Sequence, residues 1–330
     1  MWKGGFAYEQ ALSRANRRKE CACFREFKKS STIFRRVNEN GIKTRYRYRA
    51  AEYRFCDFLA ENYKLKNLKN VSARHIYTYA ARLEEFEHKP SYIRTELSGI
   101  RWFYIRSGSK NKLPSNQELH LEKVDRYKYN RAMLPDEFDG LVEVADVRKR
   151  IDATMLAPII RYFGLRFEEA VTLRVYQIED AWKYKQLHIP NGKGGQKRDV
   201  PVDIKIQETL LLHLLNYARK NNKQPSDYLI FDSRKTSVQR VMASLQNWRT
   251  NNSSKFVNPE RTKLVEPGKK PRIQNPSWHS IRHLYFQENK RRMLAEGKMT
   301  KREVENELSR RMGHDRNEVK KYYSDDIEDS

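Results

Sequence analysis

The apolar positions of this chain fall into blocks with different rhythms. Between residues 43 and 108 they recur at helical spacing: Ala51, Phe55, Phe58 and Leu59 form one stripe, Ile76, Ala80 and Leu83 a second, and Ile93, Leu97, Ile100 and Tyr104 a third. Ser72 stands where a hydroxyl can cap the second helix, and Pro90 stands just ahead of the third. This block predicts a compact all-helical domain with basic outer faces. Residues 107–132 lose the apolar period, and 109–132 read as a connector.

A second domain, spanning 133–330, opens at Leu134-Pro135-Asp136-Glu137, where a proline at an early helical position is followed by acids in the first turn. Residues 159–174 (IIRYFGLRFEEAVTLR) predict a buried helix, a glycine turn and another helix. Residues 187–202 (LHIPNGKGGQKRDVPV) predict two short strands about a Gly-rich turn. A long helix on Ile206, Leu210, Leu211 and Leu214 is expected next, then a strand over YLIFDS, then a proline-containing loop over 250–277. Helices resume at His279, and Thr300 to Glu303 forms a capping box ahead of Val304 and Leu308. The fold class that follows is mainly α with one small β-hairpin, an α+β chain of at least two domains.

Charge changes this picture from architecture to partner. The 330 residues hold 67 Lys and Arg against 42 Asp and Glu, a formal net charge of +25, which favours a polyanion whose condensed counterions are released on binding. Nucleic acid is the leading candidate. A membrane is not expected, since there is no run of about 18 apolar residues and the start MWKGGFAYEQ lacks the apolar stretch of a secretory signal; a soluble, cytoplasmic protein is the expectation. Residues 1–42 cluster Arg14, Arg17, Arg18, Lys19, Lys28, Lys29, Arg35 and Arg36, as a basic arm that orders on DNA would, or as a solvated helix face would. Cys21, Cys23 and Cys56 lack the paired spacing of a zinc site and read as reduced thiols, so no metal is expected.

Four separated pieces of the second domain hold side chains suited to a phosphodiester. In GLRFEE, Arg166 follows a turn and Glu169 lies three residues on, where it can orient the guanidinium. Lys193 sits at the tip of the Gly-rich hairpin, with Lys197 as a rival in the same turn. HSIRH puts His279 and Arg282 on one helix face, followed by His283. Finally, MGHDRNEVKKYYSDD carries His314 and, nine residues later, Tyr323, with Tyr322 beside it. Each piece alone has a bland reading as a surface pair, a solvated lysine or a hydrogen-bonded core histidine.

Together, in this order and spacing, the four pieces resemble the tyrosine recombinase (phage integrase) family, whose pattern runs Arg, Lys, His-x-x-Arg, His or Trp, and Tyr, with the lysine often between glycines. The match covers roughly residues 133–323. The resemblance implies that Arg166, Lys193, His279, Arg282, His314 and Tyr323 take the six active positions, with Glu169 at a frequent acidic position and His283 completing the HxxRH form. It implies a catalytic domain over 133–330 and a DNA-clamping core-binding domain over 43–108. It also implies cleavage and rejoining through a 3′-phosphotyrosine without metal, ATP or other cofactor, as in integration or excision of a mobile element. A homotetramer on paired recombination sites, with accessory DNA-bending or directionality proteins, and a place at the nucleoid belong to the same expectation. Three features depart from the usual pattern: the longer 250–277 loop, the seven residues after Tyr323, and the neighbouring Tyr322. Residues diverge by about 100° per position on a helix, so one tyrosine alone can face the phosphate, and the nine-residue spacing selects Tyr323.

Overall fold

A computed structural model of the chain describes residues 42–63, 65, 70–106, 111–121, 131–190, 192, 197–259 and 275–313. The basic arm up to residue 41, Lys193, residues 260–274, His314, Tyr322 and Tyr323 lie outside the described residues. The chain divides into two compact units, Met1–Asp125 and Arg126–Ser330.

In the first unit, three helices carry the three stripes: α1 (Ile42–Tyr63), α2 (Ala73–Glu85) and α3 (Pro90–Arg106). Helix α3 lies along α1, and the residues of all three stripes are buried. Burying such a side chain is worth about 1.5–3 kcal/mol. Phe55, Phe58 and Tyr79 meet ring against ring in the centre. Residues 111–121, part of the segment read as a connector, pack on this core through Leu113, Leu119 and Leu121. Three leucines without helical spacing leave no periodic trace in the sequence. Cys56 is buried in the same core. Two acids are buried here too: Glu96 forms a forked pair with Arg54, at 2.9 and 2.5 Å, whereas Glu52 Oε2 has no hydrogen-bond partner among the described residues.

The second unit runs α4 (Pro135–Val147), α5 (Ile151–Phe163), α6 (Phe167–Val171), α7 (Val175–Tyr184), β1 (Gln186–Ile189), β2 (Arg198–Pro201), α8 (Lys205–Lys220), α9 (Val238–Asn252), α10 (Trp278–Ala295) and α11 (Lys301–Arg311). Strands β1 and β2 pair antiparallel, with Leu187 opposite Val200 and Ile189 opposite Arg198. Helix α5 is almost wholly apolar and forms the spine on which α4, α8 and α10 pack. The main core surrounds it, and a smaller one of Tyr285, Phe286, Met293, Val304, Leu308 and Met312 joins α10 to α11. The capping box at Thr300 forms as read, with Thr300 N donating to Glu303 at 2.8 Å. No helix among the described residues is long and apolar enough to cross a membrane.

Three local readings are corrected. YLIFDS is not a strand: Tyr228 makes one isolated bridge to Arg174, Leu229 N donates to Leu173 O, and the Lys223 ammonium takes the carbonyls of Tyr228 and Phe231. Leu229, Ile230 and Phe231 are buried as expected, but their backbone finds single partners in place of a ladder. Residues 250–255 are helical, as the end of α9 and a 3-10 turn over Ser253–Lys255. Their polar side chains bond back onto the helix, Thr250 to Gln246 O and Asn252 to Trp248 O, where composition predicts a loop. Ile206 is exposed; the buried side of α8 is Gln207, Leu211, Leu214, Leu215 and Ala218.

Candidate active site

The site is built where three chain segments meet the end of α11. The first segment is the turn after α5. Gly164, at φ 60°, stops that helix in the left-handed region. A Cβ there would stand 2.5 Å from the Tyr285 ring, so glycine is required by space as well as by conformation. The chain then turns into the short helix α6 with Arg166 at its head. Arg166 N donates to Glu169 Oε2 at 2.7 Å and Arg166 Nη1 to Glu169 Oε1 at 2.8 Å, so the acid three residues on holds both the backbone and the side chain of the arginine.

Helix α10 supplies the second segment. Ser277 caps it by accepting from Ser280 N, and the first turn presents His279 at the surface. His279 and His283 meet ring edge to ring face at 5.0 Å, and His283 is buried. Arg282, on the next turn, is fully buried and donates from Nη1 to Gly164 O at 2.7 Å and from Nη2 to Met312 O. Trp278 stacks on Phe167 with the rings 2° from parallel, which ties the start of α10 to the residue after Arg166.

The third segment is β2. Its alternation turns Arg198 and Val200 inward and Asp199 outward. Arg198 grips Glu169 with both ends of its fork, Nη1 to Oε1 at 3.0 Å and Nη2 to Oε2 at 2.6 Å, and gives Nε to Arg311 O at 2.8 Å. Three consecutive carbonyls at the end of α11 thus receive three guanidinium groups: Arg311 O from Arg198, Met312 O from Arg282 and Gly313 O from Arg166, the last at 2.7 Å. The partial negative charge of a helix C-terminus favours cations there. Gly313, at φ 66°, allows the turn.

One carboxylate sits inside this ring of arginines. Arg282 Nη1 lies 3.9 Å from Glu169 Oε2, so three guanidinium groups surround Glu169. Burial would push its carboxyl up, but the hydrogen bonds and charges of Arg198 and then Arg166 outweigh burial and hold it down at about 2. Behind the site, Arg311 is locked by Asp203 at 2.7 Å and Glu307 at 2.8 Å. The buried Tyr285 hydroxyl is pushed up by burial, an effect that the nearby Arg311 reduces.

Of the eight residues singled out from sequence, Arg166, Glu169, Arg282, His279 and His283 are brought together here. Lys193, His314 and Tyr323 lie outside the described residues, but Gly313 is the neighbour of His314, and β2 begins five residues after Lys193. Arg198 escaped the sequence reading. Its signal was the period of two in RDVP, which puts a charged side chain on the same buried face as Val200, where it needs a partner. Among the described residues no cluster of His, Cys, Asp or Glu is arranged to hold a metal ion. An anchored, water-poor cluster of guanidinium groups beside two imidazoles can bind an oxyanion and stabilise added negative charge on it.

No family model matches the chain, and no curated protein matches it by sequence. Solved structures do. A lambda integrase (residues 75–356) dimer bound to a COC′ core site superposes with a TM-score of 0.59 at 14% identity, over 94% of this chain and 96% of that one. A lambda integrase tetramer bound to a Holliday junction gives 0.59 at 12% identity, over 92% and 77%. The Tn1549 transposon integrase in complex with transposon right end DNA gives 0.54 at 13% identity, over 89% and 93%. At such identities what is shared is the fold: this chain is built on the architecture of the lambda and Tn1549 integrases.

Proposed function

We propose that this protein is a tyrosine-type site-specific DNA recombinase. The observation that supports it most is the convergence of Arg166 and Arg282 on the adjacent carbonyls of Gly313 and Met312, immediately ahead of His314 and nine residues further Tyr323. Two arginines from distant segments are held at the root of the segment that bears the nucleophile. The fold shared with integrases whose structures were solved with DNA and the net charge of +25 support the same reading.

In this reading the non-bridging oxygens of the scissile phosphate lie against Arg166 and Arg282, whose forks suit the charge that develops there. Tyr323 passes its phenolic proton to a base, with His279 as the candidate, and its oxygen attacks phosphorus. The bond from phosphorus to the 5′ oxygen breaks, Lys193 protonates that oxygen, and a 3′-phosphotyrosine remains. His314 donates a hydrogen bond to the phosphate. Attack by another 5′ hydroxyl reverses the steps on a new strand, and because the phosphotyrosine conserves the bond energy, neither ATP nor a metal is required. Residues 43–108 clamp the duplex, 1–42 act as a DNA-ordered arm, and 133–330 perform the chemistry. Four protomers act on paired sites, assisted by DNA-bending or directionality proteins, at the nucleoid in the cytoplasm, and the task is integration or excision of a mobile element or a similar rearrangement.

The test is to trap protein on nicked duplex DNA and sequence what is attached. Wild type and Tyr322→Phe should form a covalent complex at one sequence, and Tyr323→Phe should bind the same DNA and form none. Attachment that survives in Tyr323→Phe but not in Tyr322→Phe would reverse the choice of nucleophile. Relaxation of supercoils with no strand exchange would instead indicate a type IB topoisomerase.

A further inference from the structure

Glu169 poses an electrostatic problem for the site just described. A carboxylate bonded to Arg166 at 2.8 Å cancels much of the charge that the arginine could offer to a phosphate. The fully buried guanidinium of Arg282 is also within 3.9 Å of it. The third arginine changes the balance. Arg198 and Glu169 are matched fork to fork, with side chains only 5% and 6% exposed, whereas Arg166 is 18% exposed and is the more open side of the cluster. Three cations and one anion leave a surplus of two positive charges, and without Arg198 the surplus falls to one.

We infer that Arg198 is a positioning residue of the phosphate site: it takes up the charge of Glu169, so that Glu169 can orient Arg166 without neutralising it. This rests on the recombinase reading above. Arg198 acts through Glu169 and Arg166 and itself touches no substrate. Its Nε bond to Arg311 O fixes the same guanidinium to the end of α11.

A charge-balancing role differs from a merely structural one in its dependence on the charge of the substrate. Covalent-complex formation is measured on a nicked duplex carrying the sequence to which wild type attaches, with either a phosphodiester or a neutral methylphosphonate at the scissile position. Replacing a non-bridging oxygen by methyl removes one negative charge and with it much of the need for cationic stabilisation. Arg198→Met should lose about tenfold or more on the phosphodiester, less than the about 10²- to 10³-fold typical of a direct oxyanion donor, and should recover on the methylphosphonate, as Arg166→Ala should. Arg198→Lys, which preserves the charge, should keep the wild-type ratio between the two substrates. Glu169→Gln added to Arg198→Met restores the surplus of two and should improve on Arg198→Met alone.

Equal losses on both substrates, an Arg198→Lys ratio that falls as far as that of Arg166→Ala, or a double variant no better than Arg198→Met would each overturn the role of Arg198. Failure of wild type to form a covalent complex on any substrate would overturn the recombinase reading, and this inference with it.

Discussion

Arg282 Nη1 donates to Gly164 O at 2.7 Å, so the turn that delivers Arg166 rests on the guanidinium of the other arginine. The two residues are 118 positions apart, and each is fixed for its own reason. Gly164 is in the left-handed region with the Tyr285 ring against it, and Arg282 is buried on α10 three residues before that tyrosine, on the same face. The spacing of Arg166 and Arg282 is therefore set by backbone and packing.

Gly164→Ala tests this arrangement directly. The left-handed backbone costs an L-residue about 1–2 kcal/mol, and overpacking a core commonly costs about 1–3 kcal/mol. Denaturant unfolding should show a loss of about 2–5 kcal/mol on those grounds, and DNA cleavage by the folded fraction should drop as well, because Tyr285 or the turn must move. An unchanged midpoint with full cleavage would show that the turn is not constrained.

The assignment of the general acid can be read from a sulfur substitution. A thiol has a pKa near 8.5 and water one of about 15.7, so a 5′-bridging sulfur leaves without protonation. Lys193→Ala should be slow on ordinary DNA and recover most of its rate on the phosphorothiolate, a gain within the about 10²- to 10⁴-fold range of acid assistance. Arg166→Ala should recover far less. Rescue of Lys197→Ala instead would move the acid to Lys197, which is exposed just before β2.

Affinity for DNA should fall steeply with salt, because the excess of basic residues is spread along the chain. The expected log-log slope is about −0.9 for each phosphate neutralised. A titration from low to high salt that leaves the binding constant nearly constant would contradict a phosphate-dominated interface.

Glu52 makes the first unit sensitive to pH. Burial pushes its carboxyl up from 4.5 to about 8. The folded state thus keeps a proton that the unfolded state loses, and the stability this residue permits is fully present below about 4.5 and declines as pH rises toward 8. Glu52→Gln cannot ionise, so its melting temperature relative to wild type should climb across that window and level off above it. A difference that is flat from pH 5 to pH 9 would mean that Glu52 is ionised in the folded protein or has found a cation.

The sequence determined most of what is local. Helices α1 to α3 follow from stripes whose every member is buried, and the β-hairpin and the Thr300 cap follow from turn and cap chemistry that acts within a few residues. Arg166, Glu169, His279, Arg282 and His283 were legible because motif spacing survives in one dimension.

Only the tertiary structure decided which groups share a partner. The apolar run at Leu229 to Phe231 announced burial but not that single bonds to Leu173 and Lys223 would replace a ladder. The polar stretch after Arg249 concealed the end of α9, onto which its side chains bond back. Arg198 stands 29 positions from Glu169, and the two meet because α5, α10 and β2 pack around one core, with Arg198 reaching on to Arg311 O. Periodicity records which side of an element is dry. Where a buried charge finds its counterpart depends on distances between elements, which are set by packing and leave no mark on either residue's neighbours in the chain.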